Sequence, residues 1–187
     1  MEFFMDDREA IRRMKSGEIG GLEALVNRYQ VKAARAAFFV THDEALAEDI
    51  VQETFIRLYQ RIRQFDETRP FEPYLMRSVV HAALNAIRQD KKSVSLDADP
   101  AAVENLLAQA ASVESQVEFT QLAGEIIRSL SKLSPRQRAV IVQRYYLEMS
   151  EQEMARALKV APGTIKWLLN AARTRLRDLL GSERSAE

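Results

Sequence analysis

The sequence predicts an all-α protein made of two small helical domains joined by an acidic flexible linker. Apolar side chains recur at helical spacing through nearly every segment, and no segment shows the sustained period-two alternation of a half-buried strand. Only 6 glycines and 5 prolines punctuate the 187 residues. A content of 47% hydrophobic and 29% charged residues is typical of a globular protein, so we expect packed helices rather than a disordered chain.

The first domain, residues 1–92, is predicted to begin with a short helix near residues 7–15. A break at Ser16-Gly17 and Gly20-Gly21 is expected to end it, because glycine favours turns and helix ends. A second helix follows with this apolar repeat: Leu22, Leu25, Val26, Tyr29 and Ala33.

Two more helices complete this domain. The pattern Thr41-x-x-Glu44 resembles a capping box and predicts a third helix over residues 45–65. Residues 66–73 contain two prolines and are predicted to form a loop. Pro73 suits the first turn of a fourth helix over residues 74–91.

Residues 93–115 are predicted to be the linker, because they are rich in Ala, Ser and Asp and lose the apolar periodicity of their neighbours. Residues 93–127 contain six acids and no Lys or Arg. Two interpretations of this charge stay open: a solvated tether, and a displaceable mimic of nucleic acid that occupies basic channels. Helical spacing resumes in the second domain, residues 116–187.

The second domain contains a helix-turn-helix pattern. Two capping boxes, Ser134-Pro135-Arg136-Gln137 and Ser150-Glu151-Gln152-Glu153, predict helix starts at their second residues. The helix that begins in the second box is short, ending near Leu158, and a turn over residues 159–161 leads to a last helix from about Pro162. This order is typical of motifs that place the last helix in the DNA major groove, although helical hairpins without that role share it.

Charge is segregated along a chain whose formal net charge is zero. Residues 134–180 carry nine bases against four acids, so the basic residues collect in the helix-turn-helix. This domain suits contact with phosphates, but it should bind duplex DNA only weakly by itself because few phosphates would be neutralised. A tether of 23 residues reaches at most ~75–80 Å, which exceeds two helical turns of DNA.

Several classes of function are excluded or disfavoured by composition. Cysteine is absent and only 2 histidines occur, so we expect no disulfide framework, no thiol nucleophile and no metal site. The sequence has no phosphate-cradling glycine loop and no pairing of nucleophile and base, so we expect no enzyme and no cofactor. No apolar run approaches the ~20 residues of a membrane span, and we expect a soluble cytoplasmic protein without membrane insertion.

The third predicted helix has a polar, solvent-exposed face, called the wet face below, and an apolar packing face. The wet face spans about 100° of arc on a helical wheel. It carries Asp49, Gln52, Glu53, Ile56 and Gln60. A surface for a protein partner and a plain solvated face both fit this pattern.

The fourth predicted helix carries a basic stripe led by an aromatic residue. The stripe consists of Arg77, His81, Asn85, Arg88 and Lys92, with Tyr74 projecting toward it. Single-stranded nucleic acid is bound by such stripes, with phosphates on the cations and a base stacked on the ring. A solvated face with a half-buried Tyr74 fits as well.

The last predicted helix has a polar side opposite its apolar stripe. That side carries Lys166, Trp167, Asn170, Arg173, Thr174 and Arg177. Such a side suits a DNA groove. Trp167 has two interpretations, contact with DNA through stacking or a thymine methyl, and packing as a wedge against a neighbouring helix.

Three motifs in order resemble the extracytoplasmic-function group of bacterial sigma factors, the specificity subunits of RNA polymerase. Region 2.2 of that family is similar to AEDIVQETFIRLY in this chain. The melting and recognition region that follows is similar to FEPYLMRSVVHAALNAIR. Region 4 is similar to the segment from LSPRQRAV to TRLRDLL, with its G-T-(V/I)-K core at Gly163 to Lys166.

The resemblance implies an initiation factor that binds core RNA polymerase and promoter DNA and is inhibited by an anti-sigma factor. It implies docking on the flap of the second-largest polymerase subunit and on the clamp helices of the largest. The clamp contacts would be Asp49, Gln52, Glu53, Ile56 and Tyr59. The promoter minus-ten element would meet Arg69, Phe71, Tyr74, Arg77, His81, Asn85, Arg88 and Lys92. The minus-thirty-five element would meet Thr164, Lys166, Trp167, Asn170 and Arg173.

The chain departs from the family pattern at several positions. Tyr74 stands where Trp is usual, His81 where Asn is usual, and Asn85 where Asp is frequent, so the minus-ten preference of other members does not transfer. Lys159 replaces a frequent Gly, and a left-handed Lys there would cost ~1 kcal/mol. Further departures are Leu168 and Ala171 in place of Arg, and Trp167 in place of a small polar residue.

Two other functions remain open on the residues alone. A stand-alone helix-turn-helix regulator explains the second domain but gives the wet face of the third predicted helix no role. A helical adaptor that binds only proteins explains that face but not the basic stripe. Co-purification with core polymerase and promoter-dependent run-off transcription separate these alternatives.

Overall fold

The computed structural model describes residues 5–89 and 116–184, and within them the chain forms eight α-helices and no strand. The all-α prediction is confirmed. The predicted linker, residues 93–115, lies outside the described residues. The helices are α1 (Asp7–Ser16), α2 (Ile19–Thr41), α3 (Glu44–Arg61), α4 (Phe71–Gln89), α5 (Gln116–Ser131), α6 (Pro135–Ile141), α7 (Glu151–Leu158) and α8 (Pro162–Arg184).

Helix α1 ends where Gly17 adopts a left-handed backbone, with φ of 92°, and its N–H caps the carbonyls of Arg13 and Met14. The predicted break at Gly20-Gly21 is wrong, because both glycines lie inside α2. Gly21 is there for a different reason. A Cβ at this position would lie 2.2 Å from the carbonyl oxygen of Ala10, so glycine lets α1 and α2 pack closely.

Replacing Gly21 by alanine is expected to lower the free energy of unfolding by about 2–3 kcal/mol, since the added methyl group must push α1 and α2 apart. Gly20→Ala is the matched control, because no atom lies within 4 Å of the position its Cβ would take. That variant is expected to gain about 0.5–1 kcal/mol from the better helix propensity of alanine. Urea unfolding of both variants checks this, and equal stabilities would contradict it.

The start of α3 differs from the predicted cap. Asp43 is the N-cap, and its carboxylate accepts from the backbone N–H of Leu46 at 2.9 Å. Thr41 instead donates its hydroxyl hydrogen to the carbonyl of Ala37 and remains part of α2. Between them His42 has a left-handed backbone, with φ of 58°. Helix α3 also ends earlier than predicted, at Arg61, and is followed by one 3-10 turn.

Helices α1 to α4 form the first unit, around a continuous core. The predicted packing face of α3 is buried in it, including Ala47, Val51, Thr54, Leu58 and Ile62. From α4, the core receives Phe71, Leu75, Met76, Val79, Val80 and Ala83. Helix α4 begins at Phe71, two residues before Pro73, rather than after it.

Helices α5 to α8 form the second unit, in which the predicted local signals are confirmed. Both capping boxes are present, at Ser134 with Gln137 and at Ser150 with Glu153. Helix α7 ends at Leu158, and Lys159 has the expected left-handed backbone, with φ of 54°. A π-helical turn over Val142–Tyr146 extends α6 and was not predicted.

The two units pack against each other. Ile127, Ala139 and Val142 of the second unit are buried in the same cluster as the core of the first unit. Arg138 of α6 donates from Nε to the carbonyl oxygen of Val40 at the end of α2, at 2.8 Å. No helix in the described ranges is long and apolar enough to cross a membrane.

Acidification is expected to destabilise the protein through His42, a half-buried residue whose two ring nitrogens are buried where the two units meet. Burial, and then the charge of Arg138, lower the pKa of His42 from the usual 6.5 to about 4. The unfolded chain therefore binds this proton more readily, and the free energy of unfolding falls as the pH drops from 6.5 through 4. The contribution of one residue is at most about 1.4 kcal/mol per pH unit.

Thermal melts across this pH range check the role of His42. The matched variant is His42→Asn, because asparagine tolerates the same left-handed backbone and does not titrate. It is expected to flatten the pH dependence. Wild type and variant losing stability in parallel would contradict the assignment to His42.

Candidate protein- and nucleic-acid-binding surfaces

The wet face of α3 is exposed as one continuous surface. Asp49, Gln52, Glu53, Ile56 and Gln60 are all exposed, and Ile56 keeps 55% of its surface accessible. Tyr59 is half-buried against the core of the first unit. Arg57 forms an ion pair with Glu53, one helical turn away. The face therefore presents two acids, two amides and an apolar side chain to a partner.

The loop between α3 and α4 is held in place from two sides. Asp66 accepts from the backbone N–H and the hydroxyl of Thr68, at 3.0 and 2.7 Å. Lys15 of α1 donates to the carbonyl of Phe65 at 2.8 Å and to the carboxylate of Glu67 at 2.7 Å. These hydrogen bonds lower the pKa of both Asp66 and Glu67. Lys15 gave no signal in the sequence, because its partners Phe65 and Glu67 lie 50 and 52 residues away.

Of the predicted minus-ten residues, Phe71 is buried and Arg69 is exposed. Phe71 is 2% exposed, and its ring packs 5.8 Å from Phe65 and 5.9 Å from Tyr29. It is a core residue and presents no surface to DNA here, which corrects its place in the predicted set. Arg69 is exposed, and its Nε lies 3.3 Å from Oδ2 of Asp66.

The basic stripe of α4 is present on the surface. Tyr74 is half-buried, with its ring centroid 5.0 Å from that of Phe65, and the guanidinium carbon of Arg77 lies over the Tyr74 ring, 5.7 Å from its centroid. The side-chain nitrogens Nδ2 of Asn85 and Nδ1 of His81 are 3.1 Å apart. Arg88 is exposed, and Lys92 lies outside the described residues.

A basic cleft joins this stripe to the second unit. Its volume is about 440 Å³, and among the described residues no Asp or Glu lines it. Arg77, His81 and Asn85 line one wall. Its other cations are Arg57 and Arg61 of α3, Arg156 of α7, and Lys159. Sequence reasoning missed these four, since nothing local shows that helices far apart in the chain face one cleft.

The polar side of α8 is exposed as predicted. Thr164, Lys166, Asn170 and Arg173 are exposed, and Trp167 keeps 67% of its surface accessible, so it is not a packed wedge in this structure. The opposite side buries Ile165, Leu168, Leu169 and Ala172.

Tyr145, on the π-helical turn, also belongs to this surface. Arg173 donates from Nε to its hydroxyl oxygen at 2.7 Å, and the guanidinium lies 5.7 Å from its ring centroid. Sequence reasoning missed this residue, because the π-helical turn that positions it has no recognised sequence signal.

Known proteins resemble the chain along most of its length. The Sigma-70 region 2 family model matches residues 25–93, and the Sigma-70 region 4 model matches residues 123–176. The ECF RNA polymerase sigma factor SigW of Bacillus subtilis is 31% identical, over 92% of this chain and 96% of that protein. The RNA polymerase sigma-E factor of Streptomyces avermitilis is also 31% identical, over 90% of each. A solved structure of CnrH with the cytosolic domain of CnrY is 26% identical, with a TM-score of 0.63, over 94% of this chain and 97% of that one.

Proposed function

This chain belongs to the extracytoplasmic-function group of RNA polymerase sigma factors, and we propose that its promoter-specific initiation depends on three separate surfaces. The face of α3 binds core polymerase, the loop and stripe of α4 bind the minus-ten element, and the polar side of α8 reads the minus-thirty-five element. The observation that carries this proposal is that each of these surfaces is exposed or partly exposed while the opposite side of its helix is buried.

Binding to the clamp helices of the largest polymerase subunit is supported by the chemistry of the α3 face. Asp49, Gln52 and Glu53 supply hydrogen-bond acceptors and negative charge, while exposed Ile56 supplies apolar area next to them. Charged rims with an apolar centre give an interface both orientation and binding energy. The solvated-face interpretation leaves this exposed isoleucine without a role.

Capture of unstacked minus-ten bases is supported by the rigidity of the α3–α4 loop and by the cations that follow it. Flipping a base costs a few kcal/mol, and stacking one on an aromatic ring returns about 1–3 kcal/mol. Tyr74 offers part of its ring, and Arg77 lies beside that ring to meet a phosphate. Lys15, Asp66 and Thr68 hold the loop before DNA arrives, so less order has to be gained on binding. Melting in this scheme needs no covalent chemistry from the chain.

Reading of the minus-thirty-five duplex is supported by the helix-turn-helix geometry. Helix α8 has the exposed polar side that such a motif places in the major groove. Lys166 and Arg173 suit phosphates, and Asn170 and Trp167 suit base edges and thymine methyl groups. We further propose a cytoplasmic location, docking of the second unit on the polymerase flap, and control by an anti-sigma factor, as membership in this group implies.

Run-off transcription with purified core RNA polymerase tests the proposal. The chain is expected to produce a promoter-dependent transcript that core enzyme alone does not produce. A chain that binds promoter duplex tightly at ordinary salt but never associates with core enzyme would instead be the stand-alone regulator, and the proposal would be wrong.

A further inference from the structure

We propose that Tyr145 and Arg173 form one site for a single backbone phosphate at the edge of the minus-thirty-five element. The site rests on the promoter-reading function of α8 proposed above, and it adds to that surface a residue from outside the helix-turn-helix. Tyr145 has two roles in it. Its ring and hydroxyl oxygen position the side chain of Arg173 before DNA binds, and its hydroxyl hydrogen is donated to the same phosphate.

The π-helical turn that extends α6 leaves Tyr145 on the surface. In this turn the N–H of Leu147 donates to the carbonyl of Val142 at 3.0 Å. Val142 and Gln143 of the turn are buried, whereas Tyr145 keeps 59% of its surface accessible. Single π-helical turns within helices are rare and frequently lie at functional sites. The exposed ring on this turn is therefore a candidate for binding.

Tyr145 holds Arg173 in one conformation. The Nε–H of Arg173 donates to the hydroxyl oxygen of Tyr145 at 2.7 Å, and the guanidinium carbon lies 5.7 Å from the centroid of the Tyr145 ring. A long arginine side chain loses rotamer freedom when it binds a ligand. Because Tyr145 already restricts this side chain in the free protein, less freedom is lost when DNA binds.

The hydrogen-bond donors that the pair leaves unused fit a phosphate. Among the described residues, no carboxylate pairs with Arg173 and no acceptor takes the hydroxyl hydrogen of Tyr145. The N–H groups on the two terminal guanidinium nitrogens can bind a phosphate through two parallel hydrogen bonds. Tyrosine hydroxyls also donate to phosphates in protein–DNA contacts. A single phosphate can therefore accept from both side chains.

The position of the pair on α8 corresponds to the edge of the DNA major groove. A cleft of about 480 Å³ on the polar side of α8 is lined by residues from Gly163 to Arg173. These two residues are about 15 Å apart along the helix axis at a rise of 1.5 Å per residue. Recognition helices read bases with their N-terminal residues, and the major groove is about 12 Å wide. Arg173 is therefore expected to lie beyond the base edges, beside the sugar–phosphate backbone.

A purely structural contact between the π-helical turn and α8 is the other interpretation of this pair. Both side chains are exposed, and an exposed contact between a cation and a ring stabilises a protein only slightly. The packed side of α8 is the opposite one, where Ile165, Leu169 and Ala172 are buried. The pair thus lies outside the packing that folds the second unit, which favours a binding role.

Interference by uncharged phosphates tests the site in the complex of core polymerase with the full-length chain. The DNA is a duplex that the wild-type complex selects from a random library, with one phosphate at a time replaced by a methylphosphonate. We expect a phosphate beside the element whose replacement lowers wild-type affinity about three- to tenfold. Arg173→Ala should abolish this dependence. Tyr145→Phe keeps the ring but lacks the hydroxyl, and it should reduce the dependence.

Three further variants separate the site from other effects. Arg173→Lys keeps the charge but lacks the Nε donor, so it should retain the salt dependence of binding and no longer respond to Tyr145→Phe. The double variant Tyr145→Phe/Arg173→Ala should bind only slightly less tightly than Arg173→Ala alone, because both residues act on one phosphate. Arg175→Ala is the matched control, since this exposed arginine points about 200° around the helix from Arg173. It should leave the interference pattern unchanged.

An identical interference pattern in wild type and Tyr145→Phe would overturn the inference, as would fully additive losses in the double variant. Weaker binding of Tyr145→Phe to core polymerase without DNA would overturn it too, because Tyr145 would then contact the polymerase. Thermal melts should show the same stability for wild type and Tyr145→Phe, and a large loss would favour the structural interpretation. A wild-type complex that senses no phosphate of the element would contradict the minus-thirty-five function of α8 itself, and this inference with it.

Discussion

Replacing Asp49, Gln52 and Glu53 together by alanine is expected to weaken binding to core RNA polymerase by about 3 kcal/mol, roughly a hundredfold in Kd. The three side chains are exposed on one face of α3, so their loss removes contacts to the partner without opening the core. The ion pair between Glu53 and Arg57 is lost as well, but an exposed pair contributes only about 0.5 kcal/mol to stability.

Fluorescence anisotropy with labelled chain and purified core enzyme measures this loss. Glu48→Ala is the matched control, because Glu48 is an exposed acid of the same helix at the edge of the face. It should leave Kd within about threefold of the wild type. Wild-type affinity in the triple variant would show that α3 is not the polymerase-binding surface. The proposed assignment of three binding functions to three separate surfaces would then be wrong.

Trp167→Ala is expected to lower the affinity of the polymerase complex for its preferred minus-thirty-five element by about 1–3 kcal/mol, up to roughly 150-fold. The indole is 67% exposed, so it contributes little to the core, and the free energy of unfolding should change by no more than about 0.5 kcal/mol. The loss should appear at the base pairs that the indole contacts and relax the preference there.

Lys166→Ala separates base reading from phosphate contact at the same surface. Lys166 is exposed beside Trp167, and a lysine on a phosphate carries no sequence information. Its loss should weaken binding uniformly across sequences and reduce the salt dependence by about one phosphate contact. Competition binding with promoter libraries at several salt concentrations measures both variants. An unchanged sequence preference in Trp167→Ala would show that another residue reads this element.

Local sequence signals predicted most of the architecture. Capping boxes form within four residues, so Ser134 and Ser150 marked their helix starts correctly. The wet side of α3 and the polar side of α8 also followed from spacing, because burial of one side requires apolar residues every three or four positions. The resemblance to sigma factors rested on these same local motifs, and the full-length relatives confirm it.

The incorrect predictions share a physical origin, since each depended on a neighbour that is distant in sequence or on competing local hydrogen bonds. Gly21 resembled a helix break but is a packing contact with Ala10. Phe71 belonged to a DNA-facing motif by resemblance but is enclosed by Phe65 and Tyr29. At the start of α3, Asp43 supplied the cap in place of Thr41, whose hydroxyl bonds back into α2.

The sequence by itself determined the helices, their wet and apolar sides, and the family of the chain, because periodicity, caps and motifs act over a few residues. Only the tertiary structure decided which helices face one another. The hydrogen bond between Arg138 and Val40 joins residues 98 positions apart, and the basic cleft combines cations from three helices and a turn. A helical repeat specifies that a side must be covered but leaves the covering partner open, and the packing of the whole chain selects that partner.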